Sequence, residues 1–292
     1  MSVFCFGETL WDVIGERRYL GGAPLNVAYH LVRLGVESRL LSAVGCDPLG
    51  AEALAAIARA GIGTALIRRH PRLPTGTASV VVSASGEPSF HIADPAAWDE
   101  ICESSTETSN AVTATIVDAV VFGTLALRRR ANRVALGTLL QVTPSVRGVC
   151  DINLRPPYDA LDEETEALIQ RSWLLKMNAS EALRIASGLG VSSCIEERAR
   201  RVQARWNVPV VCVTDGAAGA GVLEGGRWFA APGVRVPVVD TIGAGDAFLA
   251  GLLAAVLSRR PVDWLAALAT ATGLGGFVAS QPGAQRSEQP LL

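Results

Sequence analysis

Asp240-Thr241-Ile242-Gly243-Ala244-Gly245-Asp246, running on into Ala247-Phe248-Leu249-Ala250-Gly251, lies between two segments of different character. Val236-Pro237-Val238-Val239 before it is short, β-branched and apolar, and reads as an extended segment. The apolar run after it, closed by Ser258-Arg259-Arg260-Pro261, reads as a buried helix with cations in its last turn and a proline stop. Glycines at such a junction let backbone N–H groups converge without Cβ clash, and the helix N-terminus adds about half a positive charge. The result is an anion site whose natural occupant is phosphate. Asp246 falls in the first turn, where a carboxylate reaches a hydroxyl lying beside that phosphate. A phosphate cradle with an adjacent carboxylate is the minimum for moving a phosphoryl group onto an alcohol. A plainer reading of this stretch alone stays open: Asp246 caps the helix and the glycines make a turn. No Gly-Lys-Ser/Thr follows the glycines, so the loop is not of Walker type and its cation partner must come from elsewhere.

Upstream, Val3 to Phe6 reads as a short strand ending at Gly7-Glu8, and Asp12 follows among Leu10-Trp11 and Val13-Ile14. A carboxylate just past the carboxyl end of a first strand sits where open parallel sheets bind ligands; an ordinary solvated loop residue is the alternative. Gly21-Gly22-Ala23-Pro24 is a turn, and Leu25 to Leu34 has helical apolar spacing stopped by Gly35. Asn26 at the start of that helix either caps it or bonds a ligand hydroxyl. Glu37–Val44 is a strand and Pro48–Ala60 a helix stopped by Gly61. Gly76–Ser83 and Pro88–Ile92 then read as a hairpin turned at Ser85-Gly86, with Glu16–Leu20 able to pair with it. This hairpin interrupts a βα alternation and is expected to form a flap, which matters because a phosphoryl donor must be kept from water.

Alternation resumes with strands at Ile116–Phe122, Gly148–Ile152, Leu174–Met177 and Val208–Val213. Helices are expected at Arg129–Leu140, Glu163–Trp173, 179–187, 195–206 and Val262–Val278, with a late hairpin around Gly225-Gly226. Repeated βα units mean a mostly parallel sheet with helices on both faces. Polar groups fall where strands end: Asp151, Asn153 and Arg155; Lys176, Asn178 and Glu181; Thr214, Asp215 and Gly216. Strand carboxyl ends share one edge of a parallel sheet, so these groups and Asp12 are expected to face one crevice. Arg155 and Lys176 would meet anionic oxygens there, and Glu181 with Asn178 would hold a hydrated Mg²⁺ through water.

Composition narrows the class. The chain has 292 residues, of which 49% are apolar and 18% charged, enough for a large core. A net charge of −2 argues against nucleic acid or an anionic membrane as partner. The six cysteines are scattered with no Cys-x-x-Cys pair, the pattern of free thiols in a reducing compartment. The start of the chain has no basic segment leading into a long apolar run, and the run Ala247–Leu257 falls short of the roughly 20 residues a bilayer needs. A soluble, cytoplasmic protein is expected. The three histidines, at 30, 70 and 91, have no ligand spacing, so acid–base work falls to a carboxylate.

Gly21-Gly22-Ala23-Pro24-Leu25-Asn26-Val27-Ala28 and Asp240-Thr241-x-Gly243-Ala244-Gly245-Asp246 together resemble the two signatures of the ribokinase-like, phosphofructokinase-B type, carbohydrate kinase family. Asn178-Ala179-Ser180-Glu181 and Thr214-Asp215-Gly216-Ala217-Ala218-Gly219 match two further family elements in the right order. The resemblance implies a three-layer α/β sandwich formed as one domain over 1–292, with a small β lid from about 15–21 and 75–93. It implies Asp246 as general base and the amides of Gly243, Ala244 and Gly245 as the anion hole for the transferring phosphoryl group. Asp12, Gly22 and Asn26 match the positions that hold sugar hydroxyls. Asn178 and Glu181 match positions near the nucleotide phosphates and Mg²⁺, and Thr214 and Gly216 the nucleotide loop. Asp240 and the carbonyl of Thr241 occupy the place where many members bind K⁺. ATP, Mg²⁺ and K⁺ are the implied cofactors, a small sugar the implied partner, and a homodimer stays open. Asp151-x-Asn153-Leu154-Arg155-Pro156, Phe122-Gly123-Thr124 and Pro95-Ala96-Ala97-Trp98 look most like bacterial fructokinases. The Asp-x-Asn-x-Arg pattern also occurs in 2-keto-3-deoxygluconate kinases, where the arginine meets the substrate. The short segment between Asp12 and Gly21 leads us to expect a stunted lid strand. Fructose is the expected acceptor; 2-keto-3-deoxygluconate, ribose or a nucleoside, and more remotely a non-catalytic sugar-binding protein, are the rivals.

Overall fold

The computed structural model describes residues 1–82, 88–102, 117–142, 145–187, 194–258 and 261–285. The turn expected at Ser85-Gly86, the cations Arg259 and Arg260, and Ile116 lie outside these residues. In chain order the strands of the large sheet are β1 (Ser2–Phe6), β4 (Glu37–Gly45), β5 (Ile67–His70), β8 (Ala119–Gly123), β9 (Arg147–Asp151), β10 (Ser172–Asn178), β11 (Val210–Thr214), β12 (Ala220–Glu224) and β13 (Arg227–Ala231). They lie side by side in the order β13-β12-β11-β10-β9-β8-β1-β4-β5. Pairing is parallel from β5 through to β11; β12 and β13 close one edge as an antiparallel hairpin turned at Gly225-Gly226. The central strands are buried on both faces, as parallel strands between two helical layers must be. In β1, Val3 and Cys5 point into one apolar cluster and Phe4 and Phe6 into the other. Val210 and Cys212 alternate with Val211 and Val213 in the same way. Each fully buried aliphatic side chain of this kind contributes about 1.5–3 kcal/mol of transfer free energy, so a two-sided core holds the sheet from both faces.

Four other strands, β2 (Leu10–Ile14), β3 (Arg17–Gly21), β6 (Gly76–Val82) and β7 (Pro88–Ile92), form a separate small sheet in the order β3-β2-β6-β7. This corrects the sequence reading in three ways. Asp12 lies on a strand of the small sheet, not on a loop after β1. The segment around Glu16–Leu20 pairs with β2, not with the 76–92 hairpin; β2 is what joins the two. And β3 is not stunted, since all five of its residues pair with β2.

Among the described residues the α-helices are α1 (Ala23–Arg33), α2 (Pro48–Arg59), α3 (Arg130–Val142), α4 (Glu163–Gln170), α5 (Ala179–Ser187), α6 (Ile195–Trp206), α7 (Ala244–Ser258) and α8 (Trp264–Ala279). The helix expected over Glu163–Trp173 stops at Gln170, where Arg171 caps it, because Ser172 and Leu174 are claimed by the ladder to β9. Ile67–His70 went unread as a strand. Val236–Val239 forms no strand; Val239 and Asp240 instead both donate their N–H to the Ala279 carbonyl at the end of α8. The apolar run that follows the glycines is the buried helix expected, and α7 packs on α8 so closely that a Cβ on Gly251 would stand 3.2 Å from the Ala271 Cα. That packing holds the N-terminus of α7 at the edge of the sheet where β1, β9 and β10 end.

Candidate active site

Two helix N-termini meet at this edge. Gly22 precedes α1 with φ +119°, and a Cβ there would stand 2.3 Å from the Glu8 carbonyl oxygen, so no other residue fits. The N–H of Ala23, the first residue of α1, donates to Glu8 Oε1 at 2.9 Å, which ties the helix to the end of β1. One turn on, buried Asn26 donates from Nδ2 to Asp246 Oδ2 at 2.8 Å, joining α1 to the first turn of α7 across 220 residues of sequence. Gly243, at φ +78°, makes the turn into α7, and Ala244 N–H donates back to the Thr241 carbonyl at 3.2 Å. Of the three amides expected to form an anion hole, the Ala244 amide is therefore engaged by this turn. The Gly245 and Asp246 amides have no carbonyl behind them in the helix.

The cation that the glycine loop lacks comes from the middle of the sheet. Lys176, near the end of β10, donates from Nζ to Asp151 Oδ2 at 2.7 Å, both groups buried. Its ammonium lies beside the glycine loop, since a Cβ on Gly245 would stand 3.1 Å from Nζ. Burial alone would push the lysine pKa down; the Asp151 carboxylate outweighs it and holds the lysine above its ordinary value. Lys176 is thus a fixed positive charge next to a helix N-terminus, which fits a phosphate group.

Asp246 is buried, and burial, reinforced by Asp151, raises its pKa from 3.8 to about 6 against the opposing pulls of Lys176, Asn26 and Arg155. Burial likewise raises Asp12 to about 6, with Arg155 opposing and Asp246 adding to the rise. Asp12 fills the space over Gly21, where a Cβ would lie 2.5 Å from its Oδ2. Arg155 follows Asn153, whose φ of +43° is left-handed, and its carbonyl accepts the Tyr158 N–H at 2.7 Å. The structure therefore gathers Asp246, Asn26, Asp12, Gly22, Arg155 and Lys176 in one neighbourhood at this sheet edge. Glu8 belongs with them and the sequence reading passed over it. Burial raises its pKa to about 7, and Asp246 and Arg155 are the charged groups that act on it. The rule that singled out the other strand ends would have found it, because Glu8 lies two residues past the end of β1.

The remaining candidates lie along the edge toward β11. Asn178 and Thr214 are neighbours in the β10–β11 register, and Gly216 turns with φ +51° just beyond. Glu181 Oε1 accepts the Leu154 N–H and Oε2 the Asn178 N–H, each at 2.8 Å, so this buried carboxylate braces two strand ends. Each of its oxygens keeps a further lone pair. With the unpartnered Oδ1 of Asp151, they are hard donors of the kind a hydrated divalent cation takes. Asp240 is held by backbone contacts of its own. Its Oδ1 accepts the Ile242 N–H at 2.9 Å and its Oδ2 the Gly283 N–H at 3.0 Å, which ties the glycine loop to the segment after α8. With the Thr241 carbonyl it offers oxygen donors only, a set suited to a hard monovalent cation. The described residues contain no cluster of three or more His, Cys, Asp or Glu side chains that would bind a metal unaided.

The family profile described as pfkB family carbohydrate kinase matches residues 2–290. A fructokinase of Klebsiella pneumoniae is 30% identical over 290 residues, covering 92% of this chain and 88% of the relative. A ribokinase of Haemophilus influenzae is 29% identical over 261 residues, covering 88% and 80%. Among solved structures, a fructokinase of Vibrio cholerae O395, crystallised with fructose, ADP and a calcium ion, superposes with a TM-score of 0.79 at 25% identity over 97% of this chain and 94% of its own. With a sandwich of this topology and two glycine-framed helix N-termini meeting at its edge, the chain belongs to the pfkB family of carbohydrate kinases.

Proposed function

We propose that this kinase uses ATP to phosphorylate a primary hydroxyl of a small neutral sugar, with fructose the acceptor of choice. The observation that carries the reading is the buried Asp246 carboxylate in the first turn of α7, bonded to Asn26 at 2.8 Å and flanked by Lys176 and unspent helix amides. A sugar hydroxyl held by Asp12 and Asn26 gives its proton to Asp246, and its oxygen forms a bond to the γ-phosphorus. The bond from that phosphorus to the β-γ bridging oxygen breaks, and ADP leaves with the electron pair. Negative charge on the transferring oxygens is met by the α7 N-terminus and by Arg155. Lys176, Asn178, Thr214 and Gly216 line the nucleotide side, and the small sheet acts as the lid. A divalent cation carried with the nucleotide would neutralise phosphate charge, with Glu181 reaching it through water, while Asp240 and Thr241 would hold a monovalent cation. The relatives named fructokinase, and the fructose-bound neighbour, support the choice of sugar.

The charge around the acceptor side favours a neutral substrate. Asp246 acts on both Glu8 and Asp12 there, and Arg155 is the cation that acts on all three, with Lys176 opposing at Asp246 alone. A keto-acid acceptor would bring a further carboxylate into that field, and the Gly76–Ile92 sequence supplies neither Arg nor Lys to receive it. ADP release coupled to a reporter, measured with fructose, 2-keto-3-deoxygluconate, ribose and adenosine in the presence and absence of K⁺, tests the proposal. Fructose should give the highest kcat/KM; turnover confined to 2-keto-3-deoxygluconate would replace the neutral-sugar reading.

A further inference from the structure

The segment after α8 returns over the α1–α7 junction and is fastened there at three consecutive residues. Gly283 N–H donates to Asp240 Oδ2 at 3.0 Å, the Ala284 carbonyl lies 3.0 Å from Nε2 of buried His30, and Gln285 Nε2 donates to Asn26 Oδ1 at 2.8 Å. Ala284 also covers Gly243, where a Cβ would stand 2.4 Å from the Ala284 Cβ. The last of these bonds extends the one described above. Gln285 Nε2 donates to Asn26 Oδ1, and Asn26 Nδ2 donates to Asp246 Oδ2, both at 2.8 Å. The direction of this chain is fixed by chemistry. An ionised carboxylate only accepts, so the Asn26 end that faces it is the NH₂; the other end is then a carbonyl oxygen, which needs a donor.

We propose that Gln285 is a positioning residue for the base, holding and polarising the Asn26 amide with its donor end toward Asp246. An amide turned the other way would accept a bond from protonated Asp246 and so favour the acid form. Turned as observed, it favours the anion that takes the sugar proton. By donating to Oδ1, Gln285 polarises the Asn26 amide and strengthens its N–H as a donor to the Asp246 carboxylate. It also leaves Asn26 one N–H and one lone pair to present to a sugar hydroxyl. The other groups acting on Asp246 come from elements that Gln285 does not touch. They are Asp151 and Lys176 on β9 and β10, Arg155 on the loop after β9, Glu8 after β1, and Asp12 on β2. His30, a turn further along α1, meets the backbone of the same returning segment.

The inference rests on Asp246 being the base, and its test is chosen to read Asp246 directly. The carboxyl ¹³C resonance of Asp246, identified by its loss in Asp246→Asn, is followed against pH in the full-length protein. Gln285→Met keeps the length of the side chain and removes the donor, and should raise the Asp246 midpoint by about half to one pH unit. In an Asn26→Ala background the same substitution should move the midpoint no further, because the relay is already cut. An unchanged midpoint in Gln285→Met, or an equal shift in both backgrounds, overturns the proposal. Thermal unfolding of each variant separates loss of fold from loss of the bond. The acid limb of kcat/KM should move with the resonance. A wild-type protein that turns over no sugar would sink the functional reading while leaving the resonance test intact.

Discussion

Asp246 does two opposing things, and both are measurable. In its proposed role as base it must be ionised, and burial holds its pKa near 6, so kcat/KM should fall as pH drops through about 6. Asp246→Asn should lower kcat by roughly 10²–10⁴ with KM little changed; a near-normal kcat would remove Asp246 from the role. The same raised pKa bears on stability with a definite sign. The folded state binds this proton more tightly than the unfolded chain, so ionising Asp246 weakens the fold as pH rises from about 4 to about 6, and the weakening persists above that. Asp246→Asn removes it. The variant should therefore be more stable than wild type at pH 8, by on the order of 3 kcal/mol, and show no such gain at pH 4. Denaturant melts at the two pH values check this. Asp246 and Asn26 were legible in the sequence because glycines next to them set a local pattern. Gln285 was not, since its partner lies 259 residues away and no local spacing announces it.

At the scale of elements, the two glycine junctions make contrasting demands. Gly245 is an ordinary helical position whose added methyl would meet only the movable end of Lys176 at 3.1 Å. Gly245→Ala should leave thermal stability near wild type, because alanine is the better helix former, while weakening catalysis by displacing the ammonium. Gly22→Ala faces a left-handed backbone at φ +119° and a carbonyl oxygen 2.3 Å away. That substitution should destabilise by about 2 kcal/mol or more and loosen sugar binding, since Gly22 joins β3 to the helix that carries Asn26. Equal melting temperatures for the two variants would contradict this account. Where the sequence misled, long-range pairing was the cause. Leu10-Trp11-Asp12-Val13-Ile14 lacks clean alternation, and it is a strand because Arg17–Gly21 and Gly76–Ser79 flank it. Ser172-Trp173 continues a helical apolar pattern, but Gly148 pairs with Ser172 and pulls it into the ladder.

The molecule as a whole holds six cysteines, of which Cys46 and Cys194 are exposed and Cys5, Cys150 and Cys212 buried. Burial pushes the Cys5 and Cys212 thiols up to about 12 and Cys150 well above its ordinary value, so none of the three forms a thiolate near neutrality. A thiol reagent at pH 8 should label Cys46 promptly and reach Cys5, Cys150 and Cys212 only on unfolding; peptide mapping after a timed quench reads this. None of the described helices is long and apolar enough to cross a membrane. The layered architecture was legible because βα alternation repeats along most of the chain, and a repeat survives errors at individual boundaries.

Asp12 is built into the middle of β2, stitched to β3 on one side and to β6 on the other. On the proposed function, a sugar that grips Asp12 pulls on the entire four-stranded sheet, not on one loose side chain. Recognition and sheltering become a single mechanical act. An acceptor lacking the hydroxyl that Asp12 reads would leave the roof ajar as well as sit loosely, and ATP would then leak its phosphate to water.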